Sequence, residues 1–157
     1  MNEILGLDTL LNLSGKTAFV TGSAGGIGEA AARRLHEAGA NVVVTDINRD
    51  GARLVAESLN SIRSDSALAV SLDISEGIQV EEALRRSLEQ FDGVDILVNN
   101  AGIFPFSPLA DMTEPDFIRV IDVNLRAVFL CTKFFTEHMK QLGRGGKVVN
   151  ITSNLAI

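Results

Sequence analysis

Apolar positions in this chain fall into two alternating rhythms, short unbroken runs and longer stretches that repeat every three to four residues. The runs are Thr17–Val20, Asn41–Asp46, Ala67–Leu72, Val94–Asn99 and Lys147–Thr152. Runs rich in valine and isoleucine, without polar alternation, are what strands covered on both faces look like. Between them lie helical stretches. Glu29 to Ala38 places Ile27, Ala31, Leu35 and Ala38 on one predicted face, and Gly39 is a left-handed stop. Leu54, Val55, Leu59 and Ile62 form the next stripe. Val80, Ala83, Leu84, Leu88 and Phe91 form a third, with Glu81, Glu82, Arg85, Arg86 and Glu89 outside it. Strand and helix in strict succession predict an α/β fold with a parallel sheet and right-handed crossovers.

The rhythm changes after Asn99. Ile103 to Met112 reads as a loop with Pro105 and Pro108, and Thr113-Glu114-Pro115-Asp116 is a helix start. The helix predicted over Phe117–Phe135 carries Phe117, Ile121 and Val128 on one face, while Ile118, Leu125, Phe129 and Leu130 spread round it. Such a helix is expected to be covered twice, by its own sheet and by another helix. Asn124 falls in the first stripe, so its amide is expected to be buried and to need partners. Residues 1–13, with Leu7, Leu10, Leu11 and Leu13, show no period.

The chemistry concentrates at Val20-Thr21-Gly22-Ser23-Ala24-Gly25-Gly26-Ile27-Gly28. A strand, a glycine turn and a helix follow with no slack, which builds a phosphate cradle. Glycine lets backbone approach a ligand, and the new helix aims free N–H groups and its positive dipole end at an anion. The spacing Gly-x-x-x-Gly-x-Gly differs from the commoner dinucleotide fingerprint. Asp46, 18 positions past Gly28 and ending the second strand, can accept hydrogen bonds from a ribose, or else cap the next helix. Ser14-Gly15-Lys16-Thr17 only mimics a P-loop, since it precedes a strand instead of following one. Ser153 lies just past the fifth strand, at the sheet end where open α/β folds bind ligands.

Composition narrows the function classes. With 14 basic and 20 acidic residues the net charge is −6, which argues against nucleic acid and anionic membrane as partners. Hydrophobic residues make 46% and charged ones 22%, an ordinary globular balance. No apolar run reaches a membrane span, and the start lacks a signal-peptide pattern. Cys131 is the single cysteine, so a reducing, cytoplasmic setting is expected. His36 and His138 sit in charge-rich helices and read as surface residues. Neither a metal cluster nor a Gly-x-Ser-x-Gly elbow is present.

Four blocks resemble the short-chain dehydrogenases/reductases: Thr21 to Gly28, Leu72-Asp73-Ile74, Asn99-Asn100-Ala101-Gly102, and Val149-Asn150-Ile151-Thr152-Ser153. Asn124 matches that family's helix asparagine. The resemblance implies a doubly wound Rossmann sheet of order 3-2-1-4-5 within one domain, residues 1–157. It implies NAD as cofactor, with NADP disfavoured by Asp46 and by Gly25 where a basic residue often stands. It assigns Gly22, Ser23, Gly26, Ile27 and Gly28 to the pyrophosphate turn and Asp46 with Ile47 to the adenosine ribose. Asp73 and Ile74 then flank the adenine, and Asn100, Ala101 and Gly102 lie toward the nicotinamide. Ser153 would hold the carbonyl of an alcohol or ketone substrate, and Asn124 a water in a proton relay.

One departure is large. The family's acid/base tyrosine and its lysine belong beyond Ser153, and this sequence has no tyrosine. The expectation is a truncated oxidoreductase that is catalytically incomplete alone. The alternative is a non-catalytic nucleotide-binding or interaction module on the same fold. A methyltransferase is disfavoured by the Asn-Asn-Ala-Gly and Ile-Thr-Ser blocks. Self-association is expected through the Phe117–Phe135 helix or the Lys147–Thr152 edge.

Overall fold

The computed structural model describes residue 9 and residues 11–153; Leu7 and Leu10 of the amino-terminal stretch lie outside the described residues. Five strands form: β1 (Thr17–Thr21), β2 (Asn41–Asp46), β3 (Ala67–Ser71), β4 (Ile96–Asn99) and β5 (Lys147–Asn150). All neighbours pair in parallel, in the order β3-β2-β1-β4-β5. Helices α1 (Gly26–Glu37), α2 (Arg49–Ile62) and α3 (Gly77–Gln90) make the crossovers. The last crossover holds α4 (Glu114–Ile121), a π-helical stretch Asp122–Arg126, and α5 (Ala127–Leu142).

Alternate strand residues serve two cores. Phe19, Val43 and Leu97 face α3 and α5, where Cys131, Phe135 and Met139 are buried. The Phe19 and Phe135 rings meet with centroids 4.5 Å apart and planes tilted by 56°. Ala18, Val20, Val42, Val44, Ile96 and Val98 face the opposite way, toward Ala32, Ala52, Val55 and Leu59. Unbroken apolar strands are the direct result of this double coverage. Burial pushes the Cys131 thiol up to about 12, so it stays protonated and inert.

The helix faces differ from the expected ones. α1 buries Gly28, Ala32 and His36, while Ile27 is 66% exposed. α2 buries Ala52, Val55, Ala56 and Leu59 and leaves Leu54 and Ile62 outside. Small residues let these helices lie close on the sheet, and a stripe of large apolar residues misses them. The apolar helix is also turned: Ala127, Cys131, Phe135 and Met139 face the sheet, whereas Phe117, Ile121, Leu125 and Phe129 stay exposed.

Both histidines correct the surface reading. His36 is buried, its Nε2 2.7 Å from Ser66 Oγ, and His138 Nε2 accepts the Val94 N–H at 3.1 Å. Burial, then the nearby Arg63, lowers the His36 pKa; burial and Arg144 lower His138 against the pull of Asp95. The unfolded imidazoles titrate near 6.5, above the folded ones, so below that pH protons bind the unfolded chain preferentially. Stability is therefore complete above about pH 6.5 and falls as pH drops through this region. We expect a lower urea midpoint at pH 5.5 than at pH 7.5, with His36→Gln flattening part of the decline. An equal or higher midpoint at pH 5.5 would refute this assignment.

Candidate functional site

The site is built at the carboxyl ends of β1, β2 and β4. β1 ends at Thr21, and the chain turns through Gly22, at φ +63°, and Gly26, at φ +58°, into α1. A Cβ on Gly22 would lie 2.8 Å from the Cα of Ala101, so sterics and backbone both require glycine. Gly28 has an ordinary helical conformation but no room: its Cβ would overlap the Gly22 carbonyl and sit 2.5 Å from Asn100 Nδ2. Around Gly25 and Gly26 the space is open. The first α1 bond runs from Glu29 N–H to the Gly25 carbonyl, with no side-chain cap. The N–H groups of Gly26, Ile27 and Gly28 thus precede the helical ladder, facing the turn with the positive end of the dipole.

Two side chains fix this turn: Thr21, which the sequence did not single out, and Ser23, expected there as a cofactor-binding residue. Thr21 Oγ1 donates to the Val98 carbonyl at 3.3 Å and accepts the N–H groups of Asn100 and Ala101, each at 2.9 Å. Ser23 is fully buried: its hydroxyl donates to the Val20 carbonyl at 2.8 Å and accepts the Thr45 N–H at 3.0 Å. Its side chain shapes the turn and does not face a ligand. Asn100 Nδ2 donates to the carbonyls of Thr21 and Gly22 at 3.0 and 2.9 Å, tying β4 to the same turn.

Beside the turn lies a cleft of about 590 Å³. One wall carries Gly22, Asp46, Ile47, Asp73 and Ile74; the floor carries Asn100, Ala101 and Gly102. These residues, separate in sequence, are brought together. Gly26, Ile27 and Gly28 sit at the α1 start beside the cleft, outside its lining. The opposite wall comes from α4 and the π stretch, with Pro115, Ile118, Arg119, Asp122 and Val123. Sequence reasoning did not single out that wall, because only the crossover brings α4 back over the strand ends.

The acids are already partly engaged. Asp46 Oδ2 accepts the Ala24 N–H at 3.0 Å and Oδ1 the Asn48 N–H at 2.9 Å. A carboxylate has about four acceptor positions, so capacity remains for ribose hydroxyls. Asp73 Oδ1 accepts from the Ser75 N–H at 3.0 Å and the Ser75 hydroxyl at 2.6 Å. With Asp46, Asp73 and Asp122 in the lining, the cleft favours hydroxyl and amine donors. The turn offers N–H groups where a phosphate would go. The donor set fits an adenine dinucleotide, with anionic groups at the helix start and hydroxyls along the acids.

Asn124 departs from its expected burial. It is exposed and lies in the π-helical stretch, a rare helix variant frequent at functional sites. Its Oδ1 accepts the Ile103 N–H at 2.9 Å and its Nδ2 donates to the Ile103 carbonyl at 2.8 Å. The amide thereby pins the loop that leaves β4 directly after Gly102. Ser153 lies three residues beyond β5, exposed, and like Asn124 is not in the cleft lining. Among the described residues no helix is long and apolar enough to cross a membrane, and no cluster of three metal-ligating side chains occurs.

Comparison with known proteins agrees with this geometry. A family model for short chain dehydrogenases matches residues 16–157. An uncharacterized oxidoreductase of Methylorubrum extorquens is 38% identical over 142 residues, 90% of this chain and 56% of that protein. The sorbitol dehydrogenase of Cereibacter sphaeroides is 34% identical over 143 residues, 91% of this chain and 54% of that one. A crystal structure of a short-chain type dehydrogenase/reductase from Mycobacterium marinum superposes with a TM-score of 0.87 at 34% identity, over 92% of this chain and 56% of that one. The chain thus spans little more than half the length of these relatives. With the five-stranded order, the glycine turn and the cleft in place, this chain belongs to the short-chain dehydrogenase family.

Proposed function

We propose that this chain carries the dinucleotide-binding part of an NAD-dependent oxidoreductase acting on a secondary alcohol or ketone, in the cytoplasm. The observation that carries the reading is the cleft itself. Gly22, Asp46, Ile47, Asp73, Ile74 and Asn100 to Gly102 line one space beside an uncapped helix start. The cofactor, when bound, supplies or accepts the hydride. The chain's own residues bind and orient. The N–H groups at Gly26, Ile27 and Gly28 take the pyrophosphate, Asp46 and Ile47 the adenosine ribose, and Asp73 and Ile74 the adenine. Asn100, Ala101 and Gly102 lie along the nicotinamide side, Ser153 holds the substrate oxygen, and Asn124 positions a relay water. A sorbitol dehydrogenase among the relatives points to a polyol as substrate class. Nucleic acid and membrane are not expected partners, since the net charge is −6.

The second reading is a nucleotide-binding or interaction module without chemistry. The first reading, and the nucleotide-binding form of the second, require the cleft to take a nucleotide. We expect NADH fluorescence to report saturable binding, weakened at least about tenfold, or 1.4 kcal/mol, by Gly28→Ala. That change sets a Cβ against the Gly22 carbonyl, whereas Gly25→Ala meets open space and serves as the control. Equal binding by wild type and Gly28→Ala would remove the glycine turn from the site.

A further inference from the structure

We propose that Arg126, which lies outside the cleft lining, is a positioning residue that sets the adenosine end of the cleft by holding the Ser75 carbonyl from the opposite wall. This role rests on the dinucleotide reading of the cleft.

The wall that Asp73 and Ile74 supply is a tight turn between β3 and α3. The Glu76 N–H bonds the Asp73 carbonyl at 3.1 Å, and Asp73 Oδ1 accepts both the N–H and the hydroxyl of Ser75. These bonds fix the shape of the turn. Its placement depends on other contacts. Ile74, 8% exposed, is anchored in the core, and Gln79 Oε1 at the start of α3 accepts the Asp73 N–H at 3.0 Å. Arg126 then acts from across the cleft: its Nη1 donates to the Ser75 carbonyl at 3.2 Å. Among the described residues no other hydrogen bond joins α4 or the π-helical stretch to this turn.

Arg126 ends the π-helical stretch, whose Asp122 and Val123 line the cleft. The same Nη1 lies 3.5 Å from Asp122 Oδ1. One guanidinium thus spans two lining residues, Ser75 and Asp122, from behind the lining. The carbonyl receives a charge-assisted bond, and the planar guanidinium holds it at a set direction. Lysine can reach the carbonyl with a single ammonium, but it offers no such plane. The other end of the cleft has its own restraint, since Asn124 holds the Ile103 backbone by separate bonds. Removing Arg126 should therefore loosen the adenosine end and spare the nicotinamide end.

Calorimetric titration with the two halves of the cofactor, ADP-ribose and reduced nicotinamide mononucleotide, tests this split. Arg126→Ala is expected to weaken ADP-ribose about tenfold and to leave reduced nicotinamide mononucleotide within about twofold, while Arg126→Lys recovers part of the loss. In the ligand-free chain, amide hydrogen exchange over residues 73–76 should quicken in Arg126→Ala, with the Asn41 amide, which bonds Lys16 between β1 and β2, unchanged. Unaltered ADP-ribose affinity in Arg126→Ala, equal weakening of both halves, or unchanged exchange over residues 73–76 would each overturn the role of Arg126 alone. A wild type that binds neither half would overturn the dinucleotide reading, and this role with it.

Discussion

Residues 1–157 alone are expected to show no dehydrogenase turnover. Hydride transfer to a carbonyl leaves an alkoxide that needs a proton, and the reverse reaction needs a base. Family resemblance assigns that work to a tyrosine, whose phenol titrates near 10 and is brought toward working pH by a lysine. The sequence contains no tyrosine. Loss of positioned general acid/base catalysis typically costs about 10²–10⁴-fold. Ser153 does not substitute, because a serine hydroxyl is a poor acid and base near neutrality and it lies outside the cleft lining. The assay is NAD reduction with sorbitol and simpler secondary alcohols. Turnover that disappears in Ser153→Ala would show that this chain has its own proton donor.

The second large effect is on assembly. Phe117, Leu125 and Phe129 are 54%, 63% and 63% exposed, Ile118 and Ile121 lie beside them, and α4 buries no residue. Each such side chain contributes roughly 1.5–3 kcal/mol when fully buried. Several together rival the ~5–15 kcal/mol that stabilises an ordinary domain. The open edge of β5, with Val149 exposed, adds a surface for strand pairing. The isolated chain is therefore expected to self-associate, and the pair Leu125→Glu and Phe129→Glu to reduce that association. Light scattering that shows a monodisperse wild-type monomer with a cooperative thermal transition would contradict it.

Which features were legible in the sequence follows from what each depends on. The strands read clearly, because Val42, Val43 and Val44 can be unbroken only where helices cover both faces. The glycine turn read clearly, since Gly22 and Gly28 each stand where a Cβ has no space. Helix orientation did not, because α1 lies on the sheet through Gly28 and Ala32, which an apolar stripe ignores. The π-helical stretch at Asn124 left no mark in the pattern, and a continuous helix placed that amide inside. The bracing roles of Thr21 and Ser23 escaped notice because their hydroxyls act on backbone far away in sequence, at Asn100 and Thr45. The wall from α4 exists only through tertiary folding.

The central proposal is that this cleft takes NAD, with Asp46 expected to set the preference over NADP. Its carboxylate lines the cleft and is tied by the Ala24 and Asn48 N–H groups, so it is held in place where the adenosine ribose would bind. A 2′-phosphate there would meet a fixed like charge. Calorimetric titration of the same preparation with NADH and NADPH tests this most directly. The account predicts tighter binding of NADH and a narrower gap in Asp46→Asn. Tighter binding of NADPH, or no binding of either nucleotide, would contradict it.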